Sequence, residues 1–492
     1  MSQINVTNLT FAYDGSYYNI FENVSFQVDT AWKLGFTGRN GRGKTTFLNL
    51  LLGKYSYSGQ ISASVDFAYF PFAVPNIEQD TGTVIDGILP GCQSWRLLRE
   101  LNLLQVSAEV LYRPFRTLSG GEQTKVLLAA LFLRENSFLL IDEPTNHLDL
   151  DGRKVVSDYL DSKKGFILVS HDRAFLDNCV DHILAINKSD IEIQKGNFSS
   201  WWHNKQLQDN FELAENAKLK QEIRHLQAAA KRTANWSDKV EKTKFGARNS
   251  GVKPDKGYIG HKAAKMMKRS KNIENRQQTA IEEKSGLLRN IETSAGLKIR
   301  PLKHYQSNLA EFREISIFYD GRAVCSGISF SIAQGDRVAL CGQNGSGKSS
   351  ILKLIRGEPL CYQGTLSKAS GLKISYVSQD TSDIQGNLSA YAKENKIDES
   401  LFKAILRKLD FPRVQFEKNL ADFSSGQKKK VLLARSLCEQ AHLYIWDEPL
   451  NYIDIISRLQ IEDLLFAYKP TLLFVEHDSA FCQGISTKSV KL

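Results

Sequence analysis

The stretch Gly38-Arg39-Asn40-Gly41-Arg42-Gly43-Lys44-Thr45 decides the fold of this chain, and it occurs twice. Its second copy reads Gly342-Gln343-Asn344-Gly345-Ser346-Gly347-Lys348-Ser349. Both copies match a phosphate loop, in which a glycine-rich turn ends in a lysine and a hydroxyl residue. Each copy follows a short apolar run that is typical of a β-strand. A strand that leads into such a loop and then into a helix is typical of α/β domains.

The rest of the chain repeats with the same spacing. Residues 8–15 recur in outline as residues 314–321, and Asp142-Glu143-Pro144 recurs as Asp447-Glu448-Pro449. Ser170-His171-Asp172 has its counterpart in Glu476-His477-Asp478, and the offset always lies between 304 and 306 residues. A constant offset indicates two copies of one domain. We place these copies at residues 1–204 and 301–492, with residues 205–300 inserted between them.

The inserted segment has a different composition. It holds 22 Lys and Arg against 11 Asp and Glu, which accounts for the formal net charge of +10 of the whole chain. Residues 206–245 and 260–292 favour long helices, and glycines and a proline interrupt them in between. The sequence therefore predicts an α-helical hairpin with its turn at about residues 246–258. Its charge indicates a polyanionic partner, although a solvated helical linker would look the same.

Composition narrows the class of protein. The chain has 492 residues, of which 42% are hydrophobic and 24% charged, as in folded proteins of two or three domains. Its longest apolar run, residues 126–133, is far shorter than the about 20 residues of a membrane span. The first residues lack the pattern of a signal peptide. We therefore expect a cytoplasmic protein without membrane spans, whose seven scattered cysteines stay reduced.

The repeated residues are suited to phosphate chemistry. In the loops, backbone N–H groups point at phosphates, Lys44 and Lys348 add charge, and the next hydroxyl residue is offered to Mg²⁺. Later apolar strands end in an aspartate for Mg²⁺ and a glutamate that can orient or deprotonate water. A histidine at the end of a further strand suits the γ-phosphate. These residues are Thr45, Asp142, Glu143 and His171 in the first half and Ser349, Asp447, Glu448 and His477 in the second.

A third element is the segment Leu118-Ser119-Gly120-Gly121-Glu122, which precedes a helical run from Gln123 to Leu133. Ser119 and Glu122 have the spacing of a capping box, so we expect a helix start with exposed N–H groups that bind an anion. Ser424-Ser425-Gly426-Gln427 has the same design in the second half.

Together these motifs resemble those of the ATP-binding cassette (ABC) ATPases, and the resemblance covers all but the inserted segment. In that family two cassettes pack head to tail, and each ATP lies between the phosphate loop of one and the signature helix of the other. The resemblance implies an ATPase that uses ATP and Mg²⁺. It also implies an α/β fold of two ATP-binding cassette (P-loop) domains in tandem, joined here by a long α-helical hairpin linker.

The resemblance assigns contacts with ATP to the phosphate loops, the signature segments and an aromatic residue that stacks on adenine. In the first half these residues are Tyr13, Gly38, Asn40, Gly41, Gly43, Lys44, Thr45, Thr46, Ser119, Gly120 and Gly121. In the second half they are Tyr319, Gly342, Asn344, Gly345, Gly347, Lys348, Ser349, Ser350, Gln379, Ser424, Ser425 and Gly426. Ligands of Mg²⁺ are expected to be Thr45, Asp142, Ser349, Gln379 and Asp447. The alternative is that the two tyrosines are ordinary core or surface residues.

The string Asp142-Glu143-Pro144-Thr145-Asn146-His147-Leu148-Asp149 resembles the ABC-F branch, whose tandem cassettes act on ribosomes and carry a helical linker. Residues 447–454 look like the antibiotic-resistance members. Residues 32–35, 38–46 and 166–175 are similar to the Lsa-type ribosomal protection proteins. That group implies resistance to lincosamides, pleuromutilins and streptogramin A. The implied partner is the 70S ribosome, with its 23S rRNA and the P-site tRNA, and the linker is expected to reach toward the peptidyl-transferase centre.

Basic and aromatic residues near the predicted turn are the candidates for contact with RNA. They are Lys242, Lys244, Phe245, Arg248, Lys253, Lys256 and Tyr258. The basic side chains would bind phosphates. The two aromatic rings could stack on bases or pack the two helices of the hairpin together.

Two departures from the family pattern predict unequal ATP sites. The family has a glutamine after the strand that precedes the signature region, where the second half has Gln379 and the first half has Phe72. The second signature has Ser425 where the family has glycine. Under head-to-tail packing both departures belong to the site built on Lys44. We therefore expect the Lys348 site to hydrolyse ATP faster and the Lys44 site to bind it more persistently.

Two other functions fit the same motifs. One is a housekeeping ABC-F translation factor without a drug phenotype. The other is the ATPase subunit of a membrane transporter, which would need a membrane-domain partner and gives no reason for the basic linker. We expect neither a membrane domain nor DNA as a partner.

Overall fold

The structure of the protein is a computed structural model. It describes residues 2–15, 18–146, 148–187, 190–242, 297–319, 321–343, 345–382, 384–411 and 413–492, together with eight positions between residues 261 and 279. The chain forms two compact units. One combines Met1–Trp201 with Ser294–Leu492, and the other is Trp202–Thr293. We refer to residues 2–201 as the first cassette, to residues 297–492 as the second cassette, and to the segment between them as the linker.

The first cassette contains a mixed sheet and a small antiparallel sheet. Its strands are β1 (Gln3–Phe11), β2 (Phe21–Asp29), β3 (Lys33–Thr37), β4 (Ser58–Ala63), β5 (Asp66–Phe70), β6 (Ser137–Asp142), β7 (Phe166–Val169), β8 (His182–Asn187) and β9 (Asp190–Lys195). The larger sheet has the order β5-β6-β7-β3-β8-β9, and its strands are parallel except for the antiparallel pair β8-β9. The antiparallel sheet has the order β2-β1-β4, and one hydrophobic core is shared by both sheets.

The second cassette repeats this design. Its strands are β10 (Asn308–Tyr319), β11 (Arg322–Ala333), β12 (Arg337–Cys341), β13 (Cys361–Lys368), β14 (Ile374–Val377), β15 (Leu443–Asp447), β16 (Leu472–Val475) and β17 (Lys488–Lys491). The parallel sheet has the order β14-β15-β16-β12-β17, and the antiparallel sheet has the order β11-β10-β13. The predicted tandem α/β cassettes are confirmed.

Helices cover the sheets and connect the strands. In the first cassette they are α1 (Lys44–Leu51), α2 (Thr81–Ile88), α3 (Ser94–Leu103), α4 (Gly120–Phe132), α5 (Leu150–Asp161) and α6 (Arg173–Cys179). Helix α7 (Phe198–Lys242) runs into the linker. In the second cassette they are α8 (Lys348–Arg356), α9 (Leu388–Glu394), α10 (Glu399–Lys408), α11 (Ser425–Cys438), α12 (Ile455–Tyr468) and α13 (Ser479–Ile485). Among the described residues, no helix is both long and apolar enough to cross a membrane.

Strand order brings the repeated motifs together. Strands β6, β7 and β3 are parallel neighbours, and so are β15, β16 and β12. Their carboxyl ends therefore meet at one edge of each sheet, which is where α/β proteins bind ligands. In the first cassette that edge carries the phosphate loop, Asp142 with Glu143, and His171.

The linker helix begins inside the first cassette, at Phe198, and not at about residue 206 as predicted. Asn197 caps it, because its Oδ1 atom accepts a hydrogen bond from the Ser200 N–H group at 3.1 Å. Phe198 and Trp201 are buried, which ties the first turn to the cassette. The helix has 45 residues and is about 70 Å long. The described positions between 261 and 279 are also helical, whereas the predicted turn at 246–258 lies outside the described residues.

A buried ion pair fixes the second signature helix. Lys430 Nζ donates to Asp454 Oδ2 at 2.9 Å, and the two side chains are 5% and 1% exposed. Asp454 also caps α12, since its Oδ1 accepts from the Ser457 N–H group at 2.9 Å. In the first cassette Asp149 caps α5 in the same way, but the lysine at the equivalent position, Lys125, is only half-buried.

We predict that Asp454→Asn lowers the free energy of unfolding by about 2 to 4 kcal/mol, because the buried ammonium of Lys430 loses its counter-ion while the amide can still cap α12. Asp149→Asn is the matched control and should cost less than about 1 kcal/mol. Calorimetry of the two variants makes the comparison, and equal losses would contradict it.

The effect should depend on pH. Burial raises the pKa of Asp454, but Lys430 and the Ser457 N–H group outweigh burial and hold this pKa well below its ordinary value. A carboxyl group with a depressed pKa stabilises the fold above its unfolded pKa and loses that contribution as the pH falls. The difference between wild type and Asp454→Asn should therefore be full above a pH of about 4 and shrink below it.

Candidate active sites

Two clefts lie between the cassettes, and each takes residues from both. The larger, which we call the Lys44 cleft, has a volume of about 830 Å³ and is lined by Lys44 and Thr45 of the first cassette and by residues 424–427 of the second. The smaller, the Lys348 cleft, has a volume of about 480 Å³ and is lined by Lys348 and Ser349 and by Gly120 of the first cassette. This is the head-to-tail arrangement that the resemblance implied.

The phosphate loops have the same geometry in both halves. Gly43 and Gly347 precede α1 and α8 with φ angles of 96° and 91°, a left-handed conformation that favours glycine. Lys44 Nζ donates to the carbonyl oxygen of Gly38 at 2.7 Å, and Lys348 Nζ donates to that of Gly342 at 2.8 Å. Both lysines are buried, and burial lowers the pKa of each. Each loop therefore folds around its own ammonium group, and contact of that group with the β- and γ-phosphates stays a prediction.

The aspartates and hydroxyl residues predicted for Mg²⁺ lie side by side. Thr45 Oγ1 donates to Asp142 Oδ2 at 3.2 Å, and Ser349 is hydrogen-bonded to Asp447. Asp447 Oδ1 is buried without a hydrogen-bond partner among the described residues. Oxygen ligands of this kind are those that Mg²⁺ prefers. The residues present therefore fit the cation.

Each glutamate lies beside the histidine of its own cassette. Glu143 and Glu448 follow β6 and β15 with φ angles of 52° and 46°, and strained backbone of this kind clusters at functional sites. His171 Nε2 lies 3.2 Å from Glu143 Oε1, and His477 Nε2 lies 3.4 Å from Glu448 Oε1. Burial lowers the pKa of His171 well below its ordinary range, so that imidazole is neutral.

The two glutamates differ in their partners and in their protonation. Gln379 Nε2 donates to Glu448 Oε2 at 2.9 Å, and Asn451 Nδ2 donates to the same oxygen at 2.6 Å. Burial would raise the pKa of Glu448, but the hydrogen bonds from His477 and Gln379 outweigh it and hold the pKa below its ordinary value. Burial, with the charge of Asp142, raises the pKa of Glu143 to about 8. Glu143 therefore holds its proton more tightly than Glu448 does.

Both departures from the family pattern line the Lys44 cleft. Phe72 lies there with Ser425, whereas Gln379 lines the Lys348 cleft. Gly120, in the unaltered first signature, lines both clefts. The structure thus collects the unusual residues on one side, as head-to-tail packing required.

The signature helices begin with the predicted capping boxes. Ser119 Oγ accepts from the Glu122 N–H group at 3.2 Å, and the Ser119 N–H group donates to Glu122 Oε2 at 2.8 Å. Ser424 and Gln427 make the same reciprocal pair at 3.3 and 3.0 Å. Helix α4 starts at Gly120, earlier than the predicted Gln123, because the cap belongs to Ser119.

The two candidate adenine tyrosines lie at the start of the phosphate-loop helices. The Tyr13 hydroxyl is 2.7 Å from Thr46 Oγ1, and the Tyr319 hydroxyl is 3.2 Å from Ser350 Oγ. Their exposed fractions are 43% and 41%. Stacking on adenine stays a prediction for both residues.

Three residues that contact the site were missed by sequence reasoning. The first is Tyr69, whose hydroxyl donates to Asp142 Oδ2 at 3.0 Å. The second is Asn451, which contacts Glu448. The third is Lys429, whose Nζ donates to the carbonyl oxygens of Ser378 and Asp447 at 2.7 and 3.2 Å. Asn451 could have been found, since the quoted string has an asparagine at the same place in both halves. Lys429 carried no such signal, because Thr124 occupies its place in the first cassette.

Several predicted residues cannot be placed. Asn344 lies outside the described residues, as do the RNA candidates Lys244, Phe245, Arg248, Lys253, Lys256 and Tyr258. Lys242 is the last residue of α7.

Comparison with known proteins decides the family. The sequence model of the ABC transporter family matches residues 21–146 and 325–451, which are the two halves that carry the clefts. The chain belongs to the ABC transporter family. It is therefore an ATPase, as the motifs predicted.

Relatives of the whole chain narrow the branch. The chain is 27% identical to the ribosome protection protein VmlR of Bacillus subtilis (strain 168), over 97% of this chain and 85% of that protein. It is also 27% identical to the probable ATP-binding protein YheS of Escherichia coli (strain K12), over 93% of this chain and 74% of that protein. These relatives support the predicted ABC-F membership.

The fold has solved counterparts. The archaeal ribosome recycling factor aABCE1, in its complex with the ribosomal stalk protein aP1, matches with a TM-score of 0.63 over 98% of this chain and 87% of that chain. The identity is 18%, so this similarity concerns the fold.

The unequal glutamates predict different pH profiles for the two sites. A general base must be ionised, so activity that depends on Glu143 should rise as the pH passes through its raised pKa. In Glu448→Gln, which leaves only Glu143, ATP turnover should increase between pH 7 and pH 9. In Glu143→Gln, which leaves only Glu448, turnover should be nearly flat over that range. Steady-state phosphate release measures both, and identical profiles would refute the assignment.

Proposed function

We propose that this ATPase binds the bacterial 70S ribosome and protects it from antibiotics of the peptidyl-transferase centre, namely lincosamides, pleuromutilins and streptogramin A. The observation that carries the proposal is the similarity to the ribosome protection protein VmlR, which extends over 97% of this chain. The basic composition of the linker supports a polyanionic partner such as rRNA. The protein would then act in the cytoplasm, in association with ribosomes.

Hydrolysis would follow from residues at the edge of each sheet. Lys44 and Lys348 bind the phosphates, and the signature caps supply N–H groups from the opposite cassette. Glu448 takes the proton of the attacking water, and His477 and Gln379 keep its carboxylate ionised and oriented. Mg²⁺ bound by Thr45, Asp142, Ser349, Gln379 and Asp447 would neutralise phosphate charge.

Closure of the cassettes would control the linker. Because each cleft is lined by both cassettes, ATP binding favours their closed arrangement, and hydrolysis would let them separate. In the closed arrangement the linker would adopt a pose suited to 23S rRNA and the P-site tRNA. Its candidate contacts are Lys242, Lys244, Phe245, Arg248, Lys253, Lys256 and Tyr258.

A second candidate is a housekeeping ABC-F translation factor without a drug phenotype. The chain is as similar to YheS as to VmlR, at 27% identity in both cases. YheS is described only as a probable ATP-binding protein, so this similarity fits a factor without a drug phenotype.

Drug susceptibility separates the candidates. A sensitive bacterium that expresses this chain should survive higher concentrations of lincomycin, tiamulin and a streptogramin A, while its drug accumulation is unchanged. The Glu143→Gln/Glu448→Gln double variant should give no protection, because it cannot complete the ATP cycle. Lack of protection by the wild type would favour the housekeeping factor, and reduced accumulation would favour a transporter subunit.

We further propose that the Lys348 site hydrolyses ATP faster than the Lys44 site. The support is that Gln379 orients Glu448, whereas Phe72 and Ser425 line the Lys44 cleft. At pH 7.5, Glu448→Gln should lower ATP turnover about ten-fold, which corresponds to about 1.4 kcal/mol in the activation barrier. Glu143→Gln should lower it less than about two-fold, because the faster site keeps Glu448 and Gln379. Steady-state phosphate release makes the comparison, and equal losses would rule out the asymmetry.

A further inference from the structure

Two ion pairs join the cassettes among the described residues, and both have an arginine in the first cassette and a carboxylate in the second. Arg39 Nη1 lies 3.5 Å from Asp410 Oδ1, and the two side chains are 12% and 30% exposed. Arg173, at the start of α6, pairs with Glu462 of α12. Ion pairs that are partly shielded from water are screened by salt less than fully exposed ones.

Arg39 belongs to the same phosphate loop as Lys44. Its carbonyl oxygen accepts a hydrogen bond from Lys44 Nζ at 3.3 Å, while its side chain faces Asp410 in the other cassette. The next residue also crosses the interface, because Asn40 Nδ2 donates to the carbonyl oxygen of Tyr452 at 2.9 Å. Two successive residues of this loop are therefore held by the second cassette.

Asp410 lies directly after a helix that packs in the second cassette. It follows the C-terminus of α10 with a φ angle of 58°, and its N–H group donates to the carbonyl oxygen of Arg407 at 3.1 Å. The next residue, Phe411, is buried and packs against Phe423 with ring centroids 5.2 Å apart. Asp410 lines the Lys44 cleft, and a helix C-terminus favours a nearby cation such as Arg39.

The equivalent positions around the Lys348 cleft carry no charge. Arg39 corresponds to Gln343 in the second loop, and Asp410 corresponds to Gln105, which follows α3 with a similar φ angle of 53°. The second ion pair also has no charged equivalent in the other repeat, because the counterparts of Arg173 and Glu462 are Ser479 and Ser157. The backbone is thus repeated, but the charges are not.

We propose that Arg39 and Asp410 form an ionic latch that holds the Lys44 cleft closed and slows the dissociation of ATP from it. These are positioning residues, since they act through the phosphate loop. The inference rests on one part of the proposed function, namely that the two sites hold ATP unequally. Opening the Lys44 cleft separates Arg39 from Asp410, whereas the equivalent pair at the Lys348 cleft is neutral.

Dissociation of a fluorescent ATP analogue, bound with Mg²⁺ to the full chain and chased with ATP, tests the latch. Release from the wild type should show a fast and a slow phase, and the slow phase should disappear in Lys44→Ala. Arg39→Gln and Asp410→Gln, which install the residue types of the other repeat, should each accelerate the slow phase about three- to five-fold. The double variant should be no faster than either single variant.

Two further variants separate charge from structure. Gln105→Ala is the matched control, and both phases should stay as in the wild type. The charge swap Arg39→Glu/Asp410→Arg should restore slow release, which a merely structural role would not do. Raising the salt concentration should accelerate the slow phase of the wild type and have little effect on Arg39→Gln.

The outcomes are distinct. If the wild type shows two phases and neither Arg39→Gln nor Asp410→Gln changes the slow one, the latch is wrong while the unequal sites stand. If the wild type shows a single phase, both the unequal sites and the latch are wrong.

Discussion

Each phosphate loop shares its cleft with the signature segment of the other cassette, so each cleft needs both cassettes. The loop that holds Lys44 faces Ser424 and Ser425 of the second signature, and the loop that holds Lys348 faces Gly120 of the first. The rest of the structure serves this constraint. Parallel strands bring the loop, the carboxylates and the histidine of each half to one edge, and capped helices present N–H groups to the other half.

The same constraint allows the two sites to diverge. Because each site takes its loop and glutamate from one repeat and its signature from the other, a substitution in either repeat can alter one site alone. The hydrogen bonds of Gln379 and Asn451 prepare Glu448, whereas Glu143 has a raised pKa. The ion pair of Arg39 and Asp410 joins the cassettes at the phosphate loop of the Lys44 cleft, which Asp410 lines. These differences support the proposal that the Lys348 cleft turns ATP over and that the Lys44 cleft retains it.

Most of the fold and much of the site could be predicted from the sequence, because the deciding signals are local. A phosphate loop, a carboxylate at a strand end and the Ser119–Glu122 capping box each depend on residues a few positions apart. The repeat, together with the head-to-tail packing implied by the resemblance, then predicted that each phosphate loop faces the signature segment of the other half. Contacts over long distances in the chain were missed, such as Lys429 with Asp447 and Arg39 with Asp410. The start of α7 at Phe198 was also missed, since burial of that ring against the first cassette extends the helix.

The most direct test of the account is to ask which cassette retains ATP. The wild type is loaded with radioactive azido-ATP and Mg²⁺, chased briefly with unlabelled ATP, photolabelled and cleaved within the linker. We predict that the retained label is intact triphosphate on the first cassette, the one that carries Lys44. Equal labelling of the two fragments, or label retained mainly by the second cassette, would contradict the account.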